Sequence, residues 1–186
     1  MLLKKPPLII DNCVLGNLLS ANQLNLLHEL YPGDIIIPTH VLEESSLKRE
    51  LYNKIEPLEE EGLFETYTID SLKHIRKFAL LERRFKDNGE KEAKGEAAVL
   101  TIADILNGTV CSDNISDVIN FVENHDNIEL MTTLGILYDA YNEKLITFEK
   151  SEMILSKILS DGNKMPVEQF EQVVDWFENG KGKKLY

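Results

Sequence analysis

Short runs of consecutive apolar residues alternate along this chain with longer stretches in which apolar residues recur every third or fourth position. The first run, "PLII", predicts a buried strand from Leu8 that ends near Asp11. In "SANQLNLLHEL", Leu24, Leu27 and Leu30 have helical spacing. "PGDIIIPTH" reads as a turn, a strand over Ile35 to Ile37 and a stop at Pro38. Thr39 then caps a helix whose apolar stripe is Val41, Leu42, Leu47 and Leu51. "EPLEEEG" is expected to be a turn or short helix before a strand in "LFETYTI". Leu72, Ile75, Phe78, Leu81 and Phe85 mark a helix from Asp70 to Phe85, and the polar "KDNGEKEAKG" marks a loop. "EAAVLTIADIL" predicts a closely packing helix with Glu96 in its first turn. A strand follows at Thr109 to Cys111, a helix from about Ser116, a strand at "NIELM" and a helix near Leu134 to Tyr141. Residues 147 to 179 read as two helices, with Pro166 at the first position of the second and Gly180 as its stop.

Short strands that are apolar on both faces and alternate with helices imply a parallel sheet covered on each side. The expected fold is therefore α/β, a three-layer α/β/α sandwich. Residues 1–148 form the main unit and 149–186 a helical extension of the same domain.

Composition narrows the function. With 186 residues the chain can close a full hydrophobic core. The formal net charge of −12 argues against a general coat for nucleic acid but leaves room for a local basic patch. The apolar runs are too short to cross a membrane, and no secretory segment follows "MLLKKPPLIID". Cys13 and Cys111 lack zinc spacing, so reduced thiols in a cytoplasmic protein are expected.

The acids carry the chemistry. In an open parallel sheet, residues at the carboxyl ends of strands line a shared crevice. Asp11 and Asp113 follow strands, while Glu44 and Glu96 occupy early turns of helices that can return beside those ends. Close carboxylates repel one another unless protons or a cation intervene, and oxygen-only ligands suit Mg²⁺ or Mn²⁺. Each acid also has a plainer reading. Asp11 and Asp113 can cap helices, Glu96 can complement a helix dipole, and Glu44 competes with Glu43 on a solvated face. Asp117, one turn after Asp113, is either a ligand acting through water or a surface acid. The histidines show no paired spacing.

At these residues the chain resembles the PIN domain, a metal-dependent nuclease family. The segments that carry the resemblance are "IIDNCVLGNLL", "IIIPTHVLEES", "KGEAAVLTIA" and "VCSDNISDV", in that order. "ELMTTLGILYDAYNEKLIT" is similar to a segment of the toxin-like prokaryotic branch, with Thr132 and Thr133 where a glycine–threonine pair is usual. The resemblance implies a PIN-like fold and an endoribonuclease acting on single-stranded or structured RNA, as in a toxin–antitoxin pair. It implies Asp11, Glu44, Glu96 and Asp113 as catalytic acids. A Mg²⁺ or Mn²⁺ ion would sit on Asp11, Glu96 and Asp113, with Asp117 beside them. Asn12 would support Asp11. Ser112 stands where the family often has another acid, and Asn114 where a basic or polar residue is frequent. An antitoxin chain and a homodimer are the implied protein partners. "LGILYDAYNEKLI" is either a dimer surface or part of the core.

The most basic window runs from Lys73 to Lys94 and leads into the Glu96 helix. Arg76, Arg83, Arg84 and Lys94 are its candidate phosphate contacts, together with Asn12, Ser112 and Asn114 nearer the acids. The plain alternative is a solvated helix face. An inactive or weak PIN-like binding protein and a single-strand or flap DNA nuclease remain as alternative functions.

Overall fold

A computed structural model of the chain describes residues 7–44, 48–87 and 93–180. The strands are β1 (Leu8–Ile10), β2 (Ile35–Pro38), β3 (Glu65–Tyr67), β4 (Thr109–Cys111) and β5 (Glu129–Met131). They form one sheet in the order β3-β2-β1-β4-β5, and every pairing is parallel. β1, β2 and β4 are buried throughout, as an interior parallel sheet requires, whereas β3 lies at an edge and is partly exposed.

The helices are α1 (Asn12–Ser20), α2 (Asn25–Leu30), α3 (Thr39–Glu44), α4 (Lys48–Glu60), α5 (Leu72–Asp87), α6 (Lys94–Leu106), α7 (Ile115–Glu123), α8 (Thr133–Asn142), α9 (Phe148–Ser160) and α10 (Phe170–Glu178). α6 packs against α3, α5 and α7 on one side, while α1, α2 and α8 pack together with α9 on the other. The expected three-layer α/β/α arrangement with a parallel sheet and C-terminal helices is what the chain adopts. Ile154, Leu155, Ile158, Phe170 and Val173 of α9 and α10 belong to the same apolar core as the sheet.

Three details differ from the pattern reading, and a fourth concerns a stretch that it left open. The region from Thr39 to Glu60 holds two helices, and Thr39 is the first residue of α3. α4 continues through Pro57. The ring leaves the Asn53 carbonyl without its helical donor, and both residues are exposed, so water can serve it. Pro166 precedes α10 by four residues. The start of α10 is set instead by Glu152, whose carboxylate accepts from the Phe170 N–H at 2.6 Å, and by Gln172, which accepts from the Gln169 N–H at 3.1 Å. Finally, Leu134, Ile136, Leu137 and Ala140 of "LGILYDAYNEKLI" are buried in the core. The Tyr31 hydroxyl donates to the buried Asp139 carboxylate at 2.5 Å, tying the end of α2 to α8. Of the loop expected at 86–95, residues 88–92 lie outside the described residues.

The turn from α6 into β4 is tight. Asn107 adopts the left-handed conformation as the C-cap of α6, and Gly108 follows against the start of β1. A Cβ on Gly108 would lie 2.7 Å from the Pro7 carbonyl oxygen and would also meet the Ile9 side chain. Gly108→Ala is therefore expected to cost about 1–3 kcal/mol as overpacking, measurable by urea unfolding. An unchanged midpoint would contradict this packing.

Candidate active site

β1 and β4 are central neighbours, and the chain leaves them toward opposite edges of the sheet, β1 toward β2 and β4 toward β5. Parallel sheets open a crevice outside the carboxyl ends of the strands where their order reverses in this way. Asp11 follows β1, and Ser112 and Asp113 follow β4. The two exits are tied by the main-chain bond from the Asp11 N–H to the Cys111 carbonyl at 2.9 Å, and the Ser112 N–H ties the β4 exit to β5 through the Met131 carbonyl at 3.0 Å.

Asp11 is 3% exposed. It is the N-cap of α1, and one carboxylate oxygen accepts from the Asn12 N–H at 2.7 Å. The other accepts from the Ser112 hydroxyl at 2.8 Å and the Cys13 thiol at 3.0 Å. The Cys13 sulfur in turn accepts from the Asp113 N–H at 3.2 Å, so it bridges the two loops. Burial raises the Asp11 pKa above the ordinary carboxylate value. Hydrogen bonds from Cys13, Ser112 and Asn12 oppose that rise, and the negative charge of Asp117 adds to it. Burial, with the charges of Asp11 and Asp113, pushes the Cys13 thiol well up. Cys13 is thus a protonated donor rather than a thiolate nucleophile or soft metal ligand. Among the described residues, Asn12 Oδ1 is buried and has no hydrogen-bond partner. Asn12 therefore supports Asp11 through its main chain, not through the expected side-chain bond.

Asp113 faces α1 and α8. One carboxylate oxygen accepts from the Thr133 N–H at 2.8 Å, and the other from the Asn17 amide at 2.8 Å and the Thr133 hydroxyl. Thr133 is the first residue of α8, so this carboxylate occupies a helix N-terminus and satisfies one of its free N–H groups. Burial raises the Asp113 pKa, the Thr133 and Asn17 bonds oppose the rise, and the charge of Asp11 adds to it. The N-cap of α7 is Asn114, which makes no side-chain capping bond.

The other acids reach the same rim from the opposite face. α6 runs into β4 through Asn107 and Gly108, so its last turn lies at the amino edge of the sheet. Its first turn, with half-buried Glu96, lies at the carboxyl edge. Asp117, in the first turn of α7, accepts from the Ser116 hydroxyl at 3.1 Å. α3 follows β2 and ends at Glu44, whose side chain lies outside the described part of the structure, while Glu43 is exposed. Among the described residues, no three His, Cys, Asp or Glu side chains are grouped to hold a metal ion. The expected gathering of acids around one cation is thus not displayed by the described side chains. The Thr133 N–H and the Asn17 amide hold Asp113 toward α8 and α1, while Asp11 is engaged by the Ser112 hydroxyl and the Cys13 thiol.

The basic window divides along α5. Lys77 pairs with Asp104 near the end of α6, whereas Leu81, Arg84 and Phe85 share a cavity with Leu100. α5 and α6 therefore run antiparallel, and Arg84 comes to the acid-bearing end together with exposed Lys94. Arg76, next to Lys77, lies toward the far end. Arg83 is exposed and sits 3.8 Å from Asp87. Ser112 is fully buried, with its hydroxyl engaged by Asp11, while Asn114 is half-buried and donates its N–H to the Ser112 oxygen at 3.2 Å.

Three residues at this site, Cys13, Asn17 and Thr133, were not among those expected from sequence. Asn17 had a signal, being a polar residue inside the apolar "VLGNLL".

Residues 7–179 match a family model described as DUF3368: PIN domain. The chain belongs to this PIN-domain family. No curated protein and no solved structure matches it. PIN-domain families are generally associated with nuclease activity on nucleic acid and often use divalent metals. In this PIN domain Asp11 and Asp113 follow the two central strands, and Glu96 and Asp117 lie in the first turns of α6 and α7. Among the described residues, no helix of the PIN domain is long and apolar enough to cross a membrane.

Proposed function

We propose that this PIN domain is a divalent-metal-dependent endoribonuclease that hydrolyses phosphodiester bonds in single-stranded or structured RNA, as the toxin of a toxin–antitoxin pair. The observation that carries this reading is Asp11, a buried carboxylate at the reversal point of the sheet, kept reluctant to ionise by burial and by its neighbour Asp117. Such a group is matched to a cation that would supply the missing positive charge.

The residues present fit a hard cation in their donor chemistry. The Ser112 hydroxyl and Cys13 thiol on Asp11 are rotatable donors that can swing away, and Asn12 Oδ1 is a buried oxygen with no partner among the described residues. Asp11, Glu96 and Asp117 would hold Mg²⁺ or Mn²⁺, with Glu44 contributing from the end of α3. When bound, the ion would lower the pKa of a water and steady the charge that develops on the phosphoryl group. Asp113, with both oxygens occupied by fixed donors, has the role of holding the β4–α7 corner in place. Arg84 and Lys94 bind backbone phosphates at the acid end of α5 and α6, where their charge offsets an otherwise acidic protein.

The test is cleavage of a labelled single-stranded RNA by the purified chain with Mg²⁺ or Mn²⁺, with a chelator control and a matched single-stranded DNA. Glu96→Gln is expected to reduce RNA cleavage by about 10–100-fold, the usual effect of weakening a metal site. Equal cleavage in chelator would refute the metal, and preference for the DNA would move the assignment to a DNA nuclease. One observation favours a second reading, a catalytically weak or inactive PIN-like binding protein: the described side chains do not assemble three acids. Tight RNA binding with no metal-dependent cleavage would establish it. Self-association and an antitoxin partner belong to the main proposal and are read by light scattering and co-purification.

A further inference from the structure

Beside the acid rim, α5, α6 and α7 enclose a cavity of about 200 Å³. Its floor is apolar, built from Phe85, Leu100 and Phe121, which are 4%, 0% and 7% exposed. The Phe121 ring stacks on the His125 ring, 4.0 Å between centroids, and the Lys77 ammonium lies 5.6 Å from its centroid. The rim carries Arg84 and Asn120, both exposed and both without a side-chain partner among the described residues. Asp117 lines the mouth, and it is the acid whose charge reaches Asp11.

The size suits a single ring system, being below the 300–1,000 Å³ typical of drug-sized ligands. The buried apolar floor suits one side of a flat ring, and the polar rim suits its heteroatoms. The Asn120 amide offers both a donor and an acceptor to the edge of that ring, and the Arg84 guanidinium suits an attached phosphate. We propose that this cavity is a base-recognition subsite that takes one unpaired nucleobase of the RNA next to the phosphodiester to be cut. The proposal rests on the nuclease reading and adds to it a reason for strand selection. A base inside a duplex cannot enter without leaving its stack, whereas one in a single strand or loop can. The Asp117 position makes the fit directional. A base seated on Phe121 has its own phosphate at the rim with Arg84 and its neighbour's phosphate toward Asp11.

The experiment uses the full chain carrying Asp11→Asn, in Mg²⁺, with a set of single-stranded RNAs identical except for one abasic position moved along the strand. Fluorescence anisotropy is expected to show one position, adjoining the bond cut by the unaltered protein, where loss of the base weakens binding about tenfold, within the range for stacking one base. A preference among the four bases at that position should disappear when Asn120→Ala is added, a surface change that leaves the apolar floor intact. A flat abasic profile would overturn the subsite, as would a base preference that survives Asn120→Ala. If the unaltered protein cleaves RNA while the profile is flat, only the subsite fails. If it neither binds nor cleaves RNA, the nuclease reading fails with it.

Discussion

Asp11→Asn is expected to lower metal-dependent RNA cleavage by at least about 100-fold, the scale for removing a central electrostatic group, while making the protein more stable at neutral pH. The two effects have one cause. The Asp11 carboxyl is buried, and its native pKa lies above the ordinary carboxylate value. A group of this kind keeps its proton in the folded chain over a pH range where the unfolded chain has lost it. Stability therefore falls as pH rises from the ordinary carboxylate range through the raised native value. Asparagine carries no charge, so this loss disappears. Its oxygen can still accept from the Asn12 N–H, and its amide can donate to Ser112 or Cys13, whose hydroxyl and thiol can turn round to accept. Thermal melts at several pH values check the account. The advantage of Asp11→Asn should be absent in acid and grow toward neutral pH. Retained cleavage would end the case for Asp11 as a metal ligand, and a variant less stable at neutral pH would refute the cost of the buried charge.

Asp113→Asn is expected to do the reverse and destabilise the fold. Every partner of this carboxylate is a donor: the Thr133 N–H, the Thr133 hydroxyl and the Asn17 amide. An asparagine oxygen can keep the Thr133 N–H, but its amide then faces the Thr133 hydroxyl and the Asn17 amide, which must turn to accept, and the charge-assisted bonds are lost. Exchanging these bonds to a carboxylate for bonds to a neutral amide costs about 1–3 kcal/mol, and a chain of this size loses about 2–4 °C in melting temperature per kcal/mol. Because burial raises the Asp113 pKa as well, relief of its charge offsets part of this loss. The loss should therefore be largest in mild acid, where little relief is available, and smaller at neutral pH. Asn17→Ala should lower stability in the same direction. A melting temperature unchanged by both substitutions would show that the three donors do not hold the corner.

Much of the fold was legible because its signals are local. "PLII", "IIIP" and "TVC" are apolar on both faces, and only the middle of a covered parallel sheet accommodates such runs. Asp11, Glu96 and Asp113 were legible as rim residues because strand ends and first turns fix their height on the sheet. The direction of each side chain was not, since it depends on partners far away in sequence. Asp113 faces α8 because of Thr133, and nothing near Asp113 announces that. The same holds for Pro166, which suits a helix start locally but yields to Glu152, a residue of the preceding helix. The basic window divided for a similar reason, as only the antiparallel run of α5 along α6 decides which arginine meets the acids.

The grip on Asp113 comes from α1 and α8, and α9 packs directly over both. A chain trimmed after residue 148 would lose the roof over these two helices. Its corner after β4 would then loosen, and damage done at one end of the polypeptide would be felt at the other as a slackened Asp113.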